Sequence, residues 1–125
     1  MGKIGPHEGK ELALMLANQK PLAYFYTDGE IPEEFEPYFK SGRLYCTTVP
    51  GEFLFEGKKV AWERYVISHQ PNTPDVVRFI EILKVQDKVG WREDLEREIG
   101  QLLGYTQADI DGYIEHAKRR QILTL

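Results

Sequence analysis

The strongest constraint on the fold lies in residues 98–114, where Gly100, Gly104 and Thr106 interrupt an apolar pattern. Gly104 can adopt the positive φ that ends a helix. Thr106 can then accept a backbone N–H at the start of the next helix. Gly100 is small enough to let two helices cross closely. The pattern therefore predicts a packed helical hairpin in the last third of the chain.

The same stretch resembles a DNA-binding helix-turn-helix through its small and apolar positions, which are Ile99, Gly100, Leu103, Gly104, Tyr105 and Ile110. By that resemblance the second helix would enter the groove, and Gln107 could read adenine. That helix also carries Asp109, Asp111 and Glu115, which phosphates repel, and the formal charge of −4 provides no basic footprint. We therefore expect a structural hairpin and no nucleic-acid partner; DNA binding through residues 98–114 is kept as the last alternative.

Proline, glycine and β-branched positions divide the remainder into short elements. Gly57, in a polar turn between two apolar runs, predicts a β-hairpin. Thr73 followed by Pro74 predicts a capped helix start, and Pro50 with Gly51 predicts a break between two strands. The predicted helices cover residues 6–18, 31–41, 74–89, 91–103 and 106–120, and the predicted strands cover residues 21–26, 43–49, 53–55 and 60–67.

This order of elements indicates an α+β fold. We expect a small antiparallel sheet of three or four strands, with a mixed sheet left open, covered by helices and followed by a helical C-terminal third. The length of 125 residues suits one domain over residues 1–125, and 42% hydrophobic residues suffice for its core. In the helix after Thr73 we expect Val76, Ile80 and Leu83 to share the buried face, with Val77 beside them.

The cysteine content and the length of the apolar stretches indicate the cellular compartment of the protein. Cys46 is the only cysteine, so no internal disulfide can form, and this favours a reducing environment. Residues 1–8 lack the apolar run of a signal peptide, and no stretch approaches about 18 consecutive apolar residues. We expect a cytoplasmic protein that does not contact a membrane.

The histidines form no recognisable metal-binding or catalytic pattern. His7, His69 and His116 stand too far apart in sequence to share a helix face as ligands. We therefore predict no metal and no cofactor, and we assign no catalytic residue. His69 follows the longest predicted strand at a proline-rich loop, where scaffolds often place functional groups, and it could transfer protons near neutral pH. An ordinary exposed loop histidine is the simpler alternative.

Arginine and large aromatic residues fall together on the predicted strands. With His69, the candidate binding set comprises Tyr24, Arg43, Tyr45, Trp62 and Arg64. Strand alternation places Trp62 and Arg64 on one face. Such residues are enriched in protein-interface hot spots, and they could also stack a flat ligand whose anion binds an arginine. The simpler alternative is a face covered by helices, with Arg64 paired to a local carboxylate.

We predict that the protein acts by binding another protein, as an inhibitor, an immunity-type protein or an accessory factor. The predicted anchor is an exposed patch of Tyr24, Tyr45, Trp62 and Arg64. The first alternative is a small enzyme or ligand-binding domain, with a pocket at the mouth of the sheet that uses His69, an arginine and a tyrosine. No family resemblance extends along the whole chain, and a homo-oligomer is left open.

Overall fold

The computed structural model describes residues 7–26 and 31–124. Its helices are α1 (Glu11–Leu16), α2 (Glu36–Lys40), α3 (Pro74–Val89), α4 (Glu93–Leu102) and α5 (Gln107–Thr124), with a 3₁₀ turn (Glu33–Phe35) directly before α2. Its strands β1 (Leu22–Phe25), β2 (Tyr45–Phe55) and β3 (Lys58–Ser68) form one antiparallel sheet in the order β1-β3-β2. The predicted α+β class, with helices in the C-terminal part, is confirmed.

The predicted break at Pro50 and Gly51 was wrong, because β2 runs through both residues and pairs with β3 along its whole length. Proline is tolerated there because β2 is an edge strand. Glycine is needed next to it, since a Cβ on residue 51 would lie 2.6 Å from both the Arg64 Nη2 and the Trp62 Nε1. The predicted hairpin is confirmed, with two residues connecting β2 to β3.

Helices cover both faces of the sheet. The larger buried cluster, between the sheet and α3, contains Leu22, Val49, Val66, Val76, Phe79, Leu83 and Leu103. The smaller cluster, against α1 and α2, contains Met15, Ala23, Phe35, Leu44 and Ile67. Because side chains alternate along a strand, Trp62 and Arg64 lie on the same face as Val66, towards α3.

The start of α3 follows its sequence signals, and its buried face agrees in part with the predicted one. The Thr73 Oγ1 accepts a hydrogen bond of 3.3 Å from the Val76 backbone N–H. Val76 and Leu83 are buried as predicted and Ile80 is half-buried, whereas Val77 is 47% exposed. Phe79 and Ile82, which were not predicted, are fully buried. The sheet meets α3 along Val76, Phe79 and Leu83, which leaves Val77 outside the contact.

The first helix is shorter than the predicted span of residues 6–18. Gly9 has φ of +80°, a left-handed conformation that separates the preceding turn from α1. The helix therefore begins at Glu11 and lasts under two turns. Pro6, predicted in its first turn, lies outside the described residues.

The C-terminal helices α4 and α5 form the predicted hairpin. Gly104 has φ of +84°, and the Thr106 Oγ1 accepts a hydrogen bond of 3.1 Å from the Asp109 backbone N–H. Gly100 lies at the helix crossing, where a Cβ would come within 2.7 Å of the Ile110 Cγ1. In the described part of the chain, no helix combines the length and the apolar character needed to cross a membrane.

Candidate ligand-binding cleft

A cleft of about 890 Å³ lies between the α3-facing side of the sheet and the C-terminal helices. Strands β1 and β3 line one side, helices α3, α4 and α5 line the other, and residues around the start of α1 complete it. Pockets that hold small organic molecules typically measure roughly 300–1,000 Å³. The cleft therefore has the size of a small-molecule site.

Six tyrosine and tryptophan side chains line the cleft, namely Tyr24, Tyr26, Trp62, Trp91, Tyr105 and Tyr113. The Tyr24 and Tyr26 rings stack with their centroids 4.9 Å apart, and Tyr26 meets Trp62 edge to face at 6.1 Å. Tyr24 also packs against Phe79 of the core, which fixes this wall to α3. These contacts hold the rings in place before any ligand binds, which lowers the entropic cost of binding.

Arg64 lies at the sheet side of the cleft, but its donors are already used. The Nη1 and Nη2 atoms each donate a hydrogen bond of 2.9 Å to the Asp87 carboxylate. The backbone oxygens of Val49 and Pro50 accept from Nε and Nη2, at 3.4 and 3.0 Å. A guanidinium has five N–H donors, so these contacts leave Arg64 little capacity to bind an anionic ligand.

The exposed patch predicted from the sequence does not exist as one surface. Arg64 is only 2% exposed and Tyr24 is half-buried. Arg64 instead pairs with Asp87 on α3, as the simpler alternative anticipated. Tyr24, Trp62 and Arg64 come together in the cleft, whereas Tyr45 is exposed and does not line it. What these residues bind stays a prediction.

The other two candidates lie apart from the cleft lining. Arg43 is exposed, precedes β2, and places its guanidinium carbon 5.9 Å from the Tyr38 ring centroid. His69 is half-buried, and its Nε2 lies 3.1 Å from the Lys20 backbone oxygen. The structure thus brings together three of the six predicted binding residues and separates the other three.

Sequence reasoning missed Trp91, Glu96 and Tyr113, all of which line the cleft. The Tyr113 hydroxyl donates a hydrogen bond of 2.8 Å to the Glu96 Oε1, and the Gln86 amide donates one of 3.2 Å to the Glu96 Oε2. Burial raises the pKa of Tyr113 well above its usual range; Glu96 adds to the rise, and the Trp91 side chain opposes it. Tyr113 therefore stays protonated and available as a donor.

One sequence signal could have predicted that two of these residues, Glu96 and Tyr113, lie close together. Glu96 stands four residues before Gly100, and Tyr113 stands three residues after Ile110. Residues three or four positions apart share a helix face, so the Gly100–Ile110 crossing places both side chains near the same helix interface. No comparable signal points to Trp91, because the segment between α3 and α4 has no periodicity.

The described lining of the cleft carries more negative than positive charge. Its carboxylates are those of Glu8, Glu11, Glu34, Asp87 and Glu96, and its only cation is Arg64. Arg64 neutralises Asp87. Glu96 is half-buried and makes hydrogen bonds with two neutral side chains, but it forms no ion pair with a described residue. Within residues 7–26 and 31–124, no three metal-ligating side chains converge.

A buried lysine supports the edge of the cleft from outside. The Lys20 Nζ donates a hydrogen bond of 2.6 Å to the Leu103 backbone oxygen and lies 3.0 Å from the His7 Nδ1. It also sits 4.9 Å from the centroid of the Tyr105 ring. Burial lowers the pKa of Lys20 to about 8, against the opposing effect of Glu11. Lys20 thereby ties the segment before β1 to the end of α4.

Three polar side chains of α5 are engaged by neighbouring side chains. The Gln107 amide donates a hydrogen bond of 2.9 Å to the Asp111 Oδ1, and Asp111 also pairs with Arg97 at 2.7 Å. Lys118 pairs with Glu93. These contacts engage groups that a recognition helix would use to contact bases and phosphates. DNA binding through residues 98–114 stays an untested alternative.

Comparison with known proteins adds no functional information. The chain matches no protein-family model, and neither a curated protein nor a solved structure matches it. The geometry and charge of the cleft are therefore the basis for assigning a function.

Proposed function

We propose that this protein binds a small organic molecule in the cleft between the sheet and its C-terminal helices. The observation that carries the proposal is a space of about 890 Å³ whose lining includes six tyrosine and tryptophan side chains, with a few convergent polar groups. Large apolar clefts with a small number of placed polar groups are the usual form of ligand sites. This develops the ligand-binding alternative raised from the sequence.

The aromatic walls suit a flat ligand. Tyr24, Tyr26 and Trp62 form a connected wall on the sheet side, and Trp91 and Tyr113 line the helix side. A ligand between them would remove apolar surface from water on both of its faces, which contributes about 25 cal/mol for each Å² buried. Aromatic stacking adds about 0.5–1.5 kcal/mol for each well-placed pair.

Binding to another protein, which the sequence favoured, has weaker support. Its predicted anchor relied on an exposed arginine, and Arg64 is 2% exposed and paired with Asp87. Tyr45 remains exposed but does not lie in the cleft with Trp62. The protein-partner prediction therefore has no continuous anchor surface among the candidate residues.

A variant that fills the cleft tests the proposal. Gln86 on α3 lines the cleft and is half-buried, so Gln86→Phe places a ring in the space that a ligand would occupy. Val77 lies on the same helix but is 47% exposed and outside the lining, so Val77→Phe is the matched control. The probe is a set of aromatic fragments of neutral, cationic and anionic charge, screened by ligand-observed NMR.

The proposal predicts fragments that bind the unmodified protein and the Val77→Phe variant, and that lose binding to the Gln86→Phe variant. Circular dichroism of both variants checks that the fold is intact. If no fragment binds, or if the same fragments bind equally to the Gln86→Phe variant, the cleft is not the binding site.

A further inference from the structure

We infer that the cleft selects an organic cation, whose positive charge binds Glu96 and contacts the rings of Trp91 and Tyr113. The inference rests on the proposed function and adds the chemical class of the ligand, a planar molecule with a quaternary or N-alkylated nitrogen. We call Trp91, Glu96 and Tyr113 the cation subsite.

The charge of the cleft favours a cation at Glu96. Among the carboxylates of the described lining, Asp87 is neutralised by Arg64, whereas Glu96 forms no ion pair with a described residue and therefore makes the potential at the helix side of the cleft negative. An anionic ligand would need a hydrogen-bond donor of the protein that is not already engaged. Arg64, which the sequence suggested for that purpose, already donates to Asp87 and to two backbone oxygens.

The environment of Glu96 leaves its carboxylate able to bind a cation. Each of its carboxylate oxygens accepts one hydrogen bond from a neutral group, at 2.8 Å from Tyr113 and 3.2 Å from Gln86. A carboxylate offers about four lone-pair positions, so it can still receive a cation. The two hydrogen bonds also fix the carboxylate, which leaves little conformational entropy to lose on binding.

Two aromatic rings of the cleft lining already contact a cation of the protein itself. The Arg64 guanidinium carbon lies 5.1 Å from the Trp62 ring centroid, and the Lys20 Nζ lies 4.9 Å from that of Tyr105. Both rings line the cleft. No lysine or arginine of the described residues lies over Trp91 or Tyr113. These two rings therefore remain for a cation supplied by the ligand.

Three dyes of similar size and different charge test the inference. Thioflavin T is a flat cation, its parent benzothiazole without the N-methyl group is neutral, and anilinonaphthalene sulfonate is an anion. Their dissociation constants are measured by fluorescence titration against the unmodified protein and two variants. Glu96→Gln removes the charge of the subsite at almost constant size. Glu98→Gln removes one charge from the same helix outside the lining and is the matched control.

We expect the cation to bind the unmodified protein about tenfold or more tightly than the neutral dye, since one close charge contact and a cation–π contact contribute at that scale. Glu96→Gln is expected to weaken the cation about tenfold and to leave the neutral dye unchanged. Glu98→Gln is expected to change neither the affinity for the cation nor that for the neutral dye.

Three results would each overturn the inference. They are a neutral or anionic dye that binds as tightly as the cation, an unchanged cation affinity in Glu96→Gln, and no binding of any dye. The fragment experiment decides separately whether the cleft binds ligands at all.

Discussion

Arg64 and Asp87 join β3 to α3 through two parallel hydrogen bonds of 2.9 Å. The arginine side chain is 2% exposed and the aspartate side chain 32% exposed, so the pair is largely desolvated on the arginine side. Breaking a buried pair leaves an uncompensated charge, which is far more costly than removing the pair altogether. The pair therefore fixes the sheet side of the cleft relative to α3.

The first prediction concerns the stability that depends on this pair. Asp87→Ala should destabilise the fold by about 3 kcal/mol, because it leaves the buried Arg64 guanidinium without a negative partner. The Arg64→Met, Asp87→Ala double variant should lose clearly less than the sum of the two single changes. Urea denaturation measures the free energies of unfolding of the two single variants and the double variant.

The control is Glu98→Ala, which breaks an exposed Arg78 pair and should cost at most about 1 kcal/mol. Equal losses for Asp87→Ala and Glu98→Ala would contradict the role of the buried pair.

The second prediction concerns the glycine beneath Trp62 and Arg64. A Cβ on residue 51 would lie 2.6 Å from both side chains, and Arg64 cannot yield because Asp87 holds it. Gly51→Ala should therefore destabilise the fold by about 1–3 kcal/mol. Gly112 lies inside α5 with no other atom within 4 Å of a Cβ, so Gly112→Ala should stabilise by about 0.5–1 kcal/mol. Thermal or urea denaturation of both variants checks the opposite signs.

The third prediction follows from the burial of Lys20, which lowers its pKa from 10.5 in the unfolded chain to about 8 in the fold. Between these values the unfolded state binds more protons than the folded state at this group, so the contribution of Lys20 to stability rises with pH. This contribution should rise by roughly 2 kcal/mol from about pH 8 to about pH 10. Cys46 and the buried tyrosines oppose it in the upper part of the same window, because burial raises their pKa values, so the Lys20 contribution is obtained as a difference between variants.

Denaturation at a series of pH values tests the role of Lys20. Between about pH 8 and about pH 10 the stability of the Lys20→Met variant should rise by roughly 2 kcal/mol less than that of the unmodified protein, because the variant has no amine to deprotonate. Lys40→Met, a change at an exposed lysine, should keep the rise of the unmodified protein. A rise of the same size in Lys20→Met would assign the effect to another group.

Signals from neighbouring residues predicted much of the fold. Features that depend on contacts between residues distant in sequence were not predicted. Thr73, Gly104 and Thr106 act within a few residues of their own positions, so their caps and turns could be derived from the sequence. The continuation of β2 through Pro50 could not, because it depends on pairing with β3 at the edge of the sheet. The exposure of Val77 likewise depends on where the sheet meets α3.

The cleft was predicted only in part for the same reason. Strand alternation correctly put Trp62 and Arg64 on one face of β3. It could not show that Asp87, 23 positions further along the chain, would take up the guanidinium. The contact of Glu96 with Tyr113 depends on the crossing of α4 and α5. A single sequence contains no direct record of such long-range contacts.

The most direct test of the account uses the two tryptophans of the chain, Trp62 and Trp91, which both line the cleft. The measurement is quenching of their fluorescence by N-methylpyridinium, a planar cation that quenches indole, with iodide as the anionic comparison. We predict saturable quenching by the cation, weak quenching by iodide, and loss of saturation in the Gln86→Phe variant. Quenching that increases without saturation and is the same in the unmodified protein and Gln86→Phe would contradict a cation-binding cleft.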